Sequence, residues 1–367
     1  MFGRLLQCAA AVWPFSDKHI GEREFERVVV RVPNPLGDQI MATPALSAIR
    51  RRYPNARIAG HGVPNAEKLY RGMDWYDEFL VSGRRESALK QARLLRPHGF
   101  ELCILLSGSL RTALPPFLAR IPHRVGYRWS GRTLLLTAHW HRPRPGGIKQ
   151  PYPTKHYFLD LVANLKAEGG GRVHLALTDE ESAKVDEWLA KEKIDPAEPL
   201  LLMCVGAAFG PSKLWPPENF AAVADHMIER HQARVVVLCA PGEEEIGARV
   251  RELARHPLVD TGLNPLDVTT LKGLIARARV LLTNDTGPRH IAACFSVPVV
   301  CLMGPTSPVY TETDLERQAV LRREDVECSP CHLKECPIDH RCMLWIKPEH
   351  VIPKVEQAWD TSPSSAS

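Results

Sequence analysis

The sequence holds no apolar run approaching the ~18–20 residues that a membrane-spanning helix requires. Its longest candidate, Leu5 to Phe15, carries Gln7 and ends at a Pro14 turn. No small-x-small cleavage site follows before the charged stretch Asp17 to Arg27, which argues against a secretory leader. An interface-lying segment and a disordered or surface-packed tail are the two readings left for residues 1–26. Cysteine is too sparse for a disulfide scaffold: ten in 367 residues, with Cys8, Cys103, Cys204, Cys239, Cys294 and Cys301 standing apart. A reducing compartment is therefore expected. The pattern G-x-x-x-x-G-K-S/T is missing, and no G-x-G-x-x-G follows the first strand. These absences exclude a P-loop NTPase and weigh against dehydrogenase chemistry.

Acidic residues are missing altogether from Leu102 to Leu159, where nine Lys or Arg occur. They are Arg111, Arg120, Arg124, Arg128, Arg132, Arg142, Arg144, Lys149 and Lys155. The chain as a whole is only +5, and its remainder is slightly acidic. One cationic segment in such a chain points to an anionic partner: a phosphorylated sugar, nucleic acid or lipid headgroups. The plainer alternative is a solvated basic face, which normally intersperses carboxylates. At 44% hydrophobic and 24% charged, the composition is that of a globular protein and excludes wholesale disorder. The length suits roughly two domains, at about 150 residues each.

Two halves read alike. The first opens with a β-branched strand, Arg27 to Val32, then the turn Pro33-Asn34-Pro35-Leu36-Gly37-Asp38 and a helix from about Gln39 to Tyr53. Ala56 to Ala59 and Leu102 to Leu106 have the look of further buried strands. The second half begins after the charged stretch Asp179 to Glu198, with strand Leu200 to Val205 and the loop Gly206 to Lys213. Helices and strands then alternate: Pro217 to Arg230, Arg234 to Ala240, Gly242 to Ala254, Thr269 to Ala278, Val280 to Thr283, His290 to Phe295 and Val297 to Met303. Short apolar strands alternating with amphipathic helices predict parallel α/β sheets. The expected architecture is two Rossmann-like domains facing across a cleft, with ligands outside the carboxyl ends of the strands.

Three loops at such ends carry the chemistry. Asn284-Asp285-Thr286-Gly287-Pro288-Arg289-His290 joins a strand to a helix whose free amides suit an anion. The bland reading of that loop is an Asp or Thr N-cap and nothing more. In Gly206 to Trp215, Lys213 is placed to reach a phosphate; alone it would read as a solvated lysine. Gly304-Pro305-Thr306-Ser307-Pro308 is the third. In the first half, Asp38 follows Gly37 in a tight turn and is the candidate base, with an ordinary helix cap as its plain alternative.

Taken together, Leu36 to Leu46, Gly206 to Pro216 and Asn284 to Ala293 resemble glycosyltransferase family 9, the ADP-heptose:lipopolysaccharide heptosyltransferases. Ile121-Pro122-His123-Arg124-Val125-Gly126 is also typical, and the second loop is most similar to the heptosyltransferase II branch. The resemblance runs from about Val28 to Val351. It implies a GT-B fold with these divisions: a tail over 1–26, an acceptor-binding domain over 27–175, a linker or helix over 176–198, a nucleotide-sugar domain over 199–350, and a helix end with a disordered tail over 351–367. The family's catalytic aspartate falls on Asp38 and its pyrophosphate lysine on Lys213. Its donor loop falls on Asp285, Thr286, Gly287 and His290, and its ribose glutamate on Glu243 or, one place on, Glu244. Ala208 stands where the heptosyltransferase II loop often has a glutamate, which bears on the donor's identity.

The implied reaction is inverting transfer of heptose from ADP-heptose, a substrate and not a cofactor, to an anionic lipopolysaccharide core. None of these motifs supplies an Asp-x-Asp clamp, so no catalytic metal is expected. Arg111, Arg120, Arg124 and Arg128 are the expected acceptor contacts, and the setting is the cytoplasm at the inner-membrane surface. A family 9 transferase with another nucleotide sugar, and a non-catalytic binder of nucleotide sugars or anions, remain as alternatives. Nucleic acid is disfavoured, because Tyr127, Trp129 and Trp140 make no organised stacking platform. Cys328, Cys331, Cys336 and Cys342, with His332 and His340 among them, leave zinc, disulfides and free thiols open.

Overall fold

The computed structural model describes residues 16–129, 131–143, 151–311 and 317–362. The chain forms two compact units, Met1–Arg172 and Val173–Ser367. In the first, the strands are β1 (Arg27–Arg31), β2 (Arg57–Gly62), β3 (Glu78–Val81), β4 (Leu102–Leu105), β5 (His123–Tyr127) and β6 (Ala138–Trp140). Its helices are α1 (Leu36–Met41), α2 (Thr43–Arg52), α3 (Pro64–Leu69), α4 (Ala88–Leu95), α5 (Leu110–Leu118) and α6 (Thr154–Ala163). The strands form one parallel sheet in the order β3-β2-β1-β4-β5-β6. Val28, Val29 and Val30 of β1 are wholly enclosed. A central parallel strand is covered on both faces, which is why it reads as an unbroken apolar run.

The second unit opens with α7 (Asp179–Lys191), started by a capping box between Thr178 and Glu181. Its strands are β7 (Leu200–Cys204), β8 (Arg234–Leu238), β9 (Val259–Asp260), β10 (Val280–Asn284), β11 (Val299–Leu302) and β12 (Gln318–Leu321). The helices between and after them are α8 (Pro217–His231), α9 (Glu244–Leu253), α10 (Val268–Ala276), α11 (Pro288–Cys294), α12 (Arg341–Leu344) and α13 (Pro348–Asp360). The sheet order, β12-β11-β10-β7-β8-β9, is again parallel and has the same connectivity as the first. Glu181 and Lys272 tie α7 to α10 through an ion pair at 2.8 Å with both side chains fully buried. Among the described residues no helix is long and apolar enough to cross a membrane.

The structure redraws three expected boundaries. Residues 16–26 do not form a tail: Ile20 is fully buried, and Asp17 N donates to Thr137 O at 3.1 Å. The opening segment Met1 to Phe15 lies outside the described residues. The single helix expected from Gln39 to Tyr53 is two, α1 and α2. Pro44 has no N–H to donate, and Thr43 Oγ1 donates to Ile40 O instead, at 2.8 Å. At the other end the expected helix end is α13, and Val351, Val355 and Trp359 place it in the core of the second unit; the tail expected after it, 363–367, lies outside the described residues.

Candidate functional site

In an open parallel sheet, ligands bind beyond the carboxyl ends of the strands where the connectivity reverses direction. That point lies between β1 and β4 in the first unit and between β7 and β10 in the second. The loops after β1 and β4 carry Asp38 and Ser107-Gly108. The loops after β7 and β10 carry Gly206 to Lys213 and Asp285 to Gly287.

At the first point Asp38 lies in the opening turn of α1 but makes no cap hydrogen bond. Its half-buried carboxylate has no polar partner among the described residues, and burial pushes its pKa up to about 6. Tyr157 of α6 feels that charge: burial raises its hydroxyl, Arg142 and Arg132 pull it down, and Asp38 raises it further. Arg132 is fully buried with Nε and Nη2 unpartnered, while Nη1 donates to Ser107 O. Burial lowers its pKa to about 10. Gly126 makes room for it, because a Cβ there would come within 2.3 Å of Arg132 Nη2. Gly108 does the same for Arg142, whose Nη2 would stand 2.8 Å from a Cβ. Arg142 lies over Trp129 at 4.3 Å and is hydrogen-bonded to Tyr157, while its buried Nε has no partner among the described residues. Tyr157 thus lies within electrostatic reach of both guanidinium groups and of Asp38, whose own shift comes from burial alone.

The four arginines expected to meet an acceptor divide. Arg111 and Arg120 are exposed. Arg128 is exposed, with Nη1 3.2 Å from His141 Nε2. Arg124 is committed to the fold: Nε donates to Leu135 O at 2.7 Å, Nη1 donates to Ile121 O, and the group lies 5.5 Å over Phe117. Fully enclosed Arg132 and partly exposed Arg142 keep N–H groups without a partner among the described residues, and the sequence reading did not single out either. The signal available was their place in the same carboxylate-free window.

At the second point Lys213 Nζ donates to Asp285 Oδ2 at 2.5 Å and to Asp285 O at 3.0 Å, 4.9 Å over the Phe209 ring. Asp285 also accepts from Arg289 Nη1 and Thr306 Oγ1, each at 2.8 Å. Burial alone would raise Asp285, but Arg289 and then Lys213 outweigh it and hold the carboxyl at about 2. The cap reading therefore fails: Asp285 is a hub for two cations, and one positive charge is left over. Thr286 and Gly287 are partly exposed beside it. His290 is enclosed at 3% exposure, kept neutral by burial and then by Arg289, with a pKa of about 3. Glu243 lies over Gly206, where a Cβ would come within 1.8 Å of its carboxyl carbon. Its carboxylate accepts from Ala240 N at 2.9 Å, and burial raises its pKa. Glu244 turns away and accepts from Gly242 N, so of the two glutamates it is Glu243 that lies against Gly206.

The described cysteines are free thiols. Burial, followed by Cys336, Cys328 and Cys331, raises the Cys342 thiol to about 11, so the four lie within electrostatic reach. They are not drawn together into a ligand set. Their segment braces the lysine loop instead. Ser212 N donates to Lys334 O at 3.0 Å, Ser212 Oγ donates to Leu333 O at 2.6 Å, and His340 Nε2 lies 2.6 Å from Ser212 O. Gly210, at φ 151°, has Lys334 O so close that a Cβ would sit 2.6 Å from it.

Comparison with known proteins identifies the family and the fold class. The family model for glycosyltransferase family 9 (heptosyltransferase) matches residues 88–341. Lipopolysaccharide heptosyltransferase 1 of Pseudomonas aeruginosa is 30% identical over 333 residues, covering 84% of this chain and 87% of that protein. Lipooligosaccharide heptosyltransferase 2 of Haemophilus influenzae is 26% identical over 310 residues, covering 80% and 88%. Among solved structures, E. coli ADP-heptose lps heptosyltransferase II superposes with a TM-score of 0.76 at 23% identity, over 91% of this chain and 98% of that one. E. coli heptosyltransferase WaaC with ADP gives 0.65 at 17%, over 90% and 99%. The two Rossmann-like units are those of the GT-B class. The chain belongs to glycosyltransferase family 9, the heptosyltransferase family.

Proposed function

We propose that this glycosyltransferase moves a heptose from ADP-heptose to the anionic inner core of lipopolysaccharide, with inversion and without a catalytic metal. The observation that carries the reading is the division of charge between the two switch points. The first sets a carboxyl raised by burial to about pKa 6, without a polar partner among the described residues, in electrostatic reach of Tyr157, which Arg142 and Arg132 also reach. The second sets a surplus cation beside a carboxylate that lies against backbone.

Asp38 accepts the proton of the acceptor hydroxyl while that oxygen attacks the anomeric carbon, a contribution of about 10²–10⁴-fold for a positioned base. The bond from that carbon to the ADP oxygen breaks in the same displacement, so the configuration inverts. Lys213 spends two of its three N–H donors on Asp285, and the third meets the charge that grows on the leaving pyrophosphate. Thr286 and Gly287 border the same phosphates, Glu243 accepts from the ribose hydroxyls, and buried neutral His290 lines the floor. Partly exposed Arg142 takes the acceptor's carboxylate or phosphate, with exposed Arg111, Arg120 and Arg128 steering it in. The reaction takes place in the cytoplasm at the inner-membrane surface, where a lipid-linked acceptor is reached.

The relatives' names support the donor, and one of the solved structures holds ADP. The decisive assay offers ADP-heptose and a Kdo-containing acceptor in the presence of EDTA. Transfer with an inverted anomeric centre is expected. No transfer, or transfer restored only by Mg²⁺, overturns the reading. Ala208 favours a second reading, another nucleotide sugar, which the same assay tests by exchanging the donor.

A further inference from the structure

One cluster lies outside both switch points and has no part in the transfer. His226 and His231 come from α8, and Glu356 comes from α13. His226 Nε2 lies 2.9 Å from Glu356 Oε1, and His231 Nε2 lies 3.2 Å from the same oxygen. The three donor atoms all fall within 4.8 Å of one another. The side chains are 35%, 19% and 32% exposed, so a solute ion reaches them.

Two imidazoles aimed at one carboxylate oxygen need something positive between them. Either each ring carries its proton on Nε2, or a cation takes the place of both protons. Bonds of about 2.0–2.2 Å from an ion to nitrogen and oxygen set tetrahedral donors roughly 3.3–3.5 Å apart. The observed 2.9 and 3.2 Å are therefore near ligand spacing already, and small side-chain rotations complete it. Mg²⁺ and Ca²⁺ favour all-oxygen shells, whereas two imidazoles and one carboxylate suit the borderline ions Zn²⁺, Ni²⁺, Co²⁺ and Cu²⁺. Among the described residues no other acid is paired with either ring. Asp225, next to His226, accepts from Arg255 instead.

We propose that His226, His231 and Glu356 bind one divalent transition-metal ion that staples the C-terminal helix α13 to α8. The site is structural. Three protein ligands leave a position for water, but none of the residues assigned to donor or acceptor takes part. What the ion secures is the packing of Val351, Val355 and Trp359, which complete the core of the second unit. The proposal stands apart from the reading of the transfer reaction.

A local reporter is built in, because the His231 ring centroid lies 6.0 Å from that of Trp359. The test uses EDTA-stripped full-length protein in a Cys328→Ser, Cys331→Ser background, so that those thiols do not compete for the ion. NiCl₂ is titrated in at about pH 7.5, where imidazole is neutral. One Ni²⁺ per chain should bind, quench the Trp359 emission, and raise the thermal midpoint by roughly 5–10 °C at about 100 times Kd. The same protein with His226→Ala, His231→Ala should lose the site, and His226→Ala alone should weaken it by at least about tenfold. The single variant serves if the double one fails to fold, since His226 is the more exposed ring. Equal Ni²⁺ affinity in wild type and His226→Ala overturns the proposal, as does equal quenching in Trp359→Phe. Stabilisation by mild acid with no response to Ni²⁺ also overturns it, and would mean that protons alone bridge the cluster.

Discussion

Asp38 pays for its position in stability. A carboxyl raised from 3.8 to about 6 by burial binds its proton more tightly in the folded chain than in the unfolded one. Folding is thus favoured by that proton at low pH, and the advantage is lost as pH rises through about 4 to 6. At neutral pH the buried charge is a net cost. Asp38→Asn should abolish transfer yet raise stability at pH 7 by on the order of 1–3 kcal/mol, removing that slope. Wild-type kcat/KM should fall on the acid side with a midpoint at about 6. Denaturant titrations against pH, beside the rate profile, check both; a less stable Asp38→Asn would show that the carboxylate is a support of the fold. At this scale the sequence disclosed residue types but not their partners. Arg124 and Arg132 are the same amino acid in one acid-free window. Only the fold shows that Ile121 O and Leu135 O occupy the first, while the second keeps two N–H groups unpaired. Arg142→Ala should therefore raise the acceptor KM at least about tenfold while ADP affinity, read by calorimetry, stays constant.

Among the elements, central strands were legible and edge strands were not. Val28 to Val30 and Leu200 to Cys204 are buried throughout, so burial itself writes their apolar runs. Glu78–Val81 and Gln318–Leu321 border their sheets half-exposed, and Val259–Asp260 is only two residues long. Mixed composition over so few positions gives no period to read. The break between α1 and α2 was marked by Pro44, but the helical spacing on either side concealed it. Loop geometry was the least visible, as Gly206 illustrates. Its backbone does not demand glycine; the Glu243 carboxyl does, by standing where a Cβ would go. Gly206→Ala should displace that carboxylate and weaken ADP binding by about tenfold, with the thermal midpoint little changed. Because both act on one contact, Gly206→Ala with Glu243→Ala should be no worse than Glu243→Ala alone. Additive losses in the calorimeter would refute the contact.

At the scale of the whole molecule, charge is segregated. The acid-free window lies entirely in the first unit, and the Lys213–Asp285–Arg289 hub lies in the second. Exposed Arg111, Arg120 and Arg128 are screened by salt, whereas the enclosed hub is screened far less. Raising ionic strength should therefore raise the acceptor KM steeply and leave the donor KM nearly flat; parallel shifts in steady-state kinetics would contradict the division. The shared strand order has a consequence for synthesis. Each switch point is framed by strands far apart along the chain, Val28 beside Leu102 and Leu201 beside Val280. A chain emerging from the ribosome possesses Lys213 long before it possesses Asp285. Until β10 is made and slots in beside β7, the lysine has neither its counter-ion nor its address, and a nascent chain halted short of that strand carries the motif without the site.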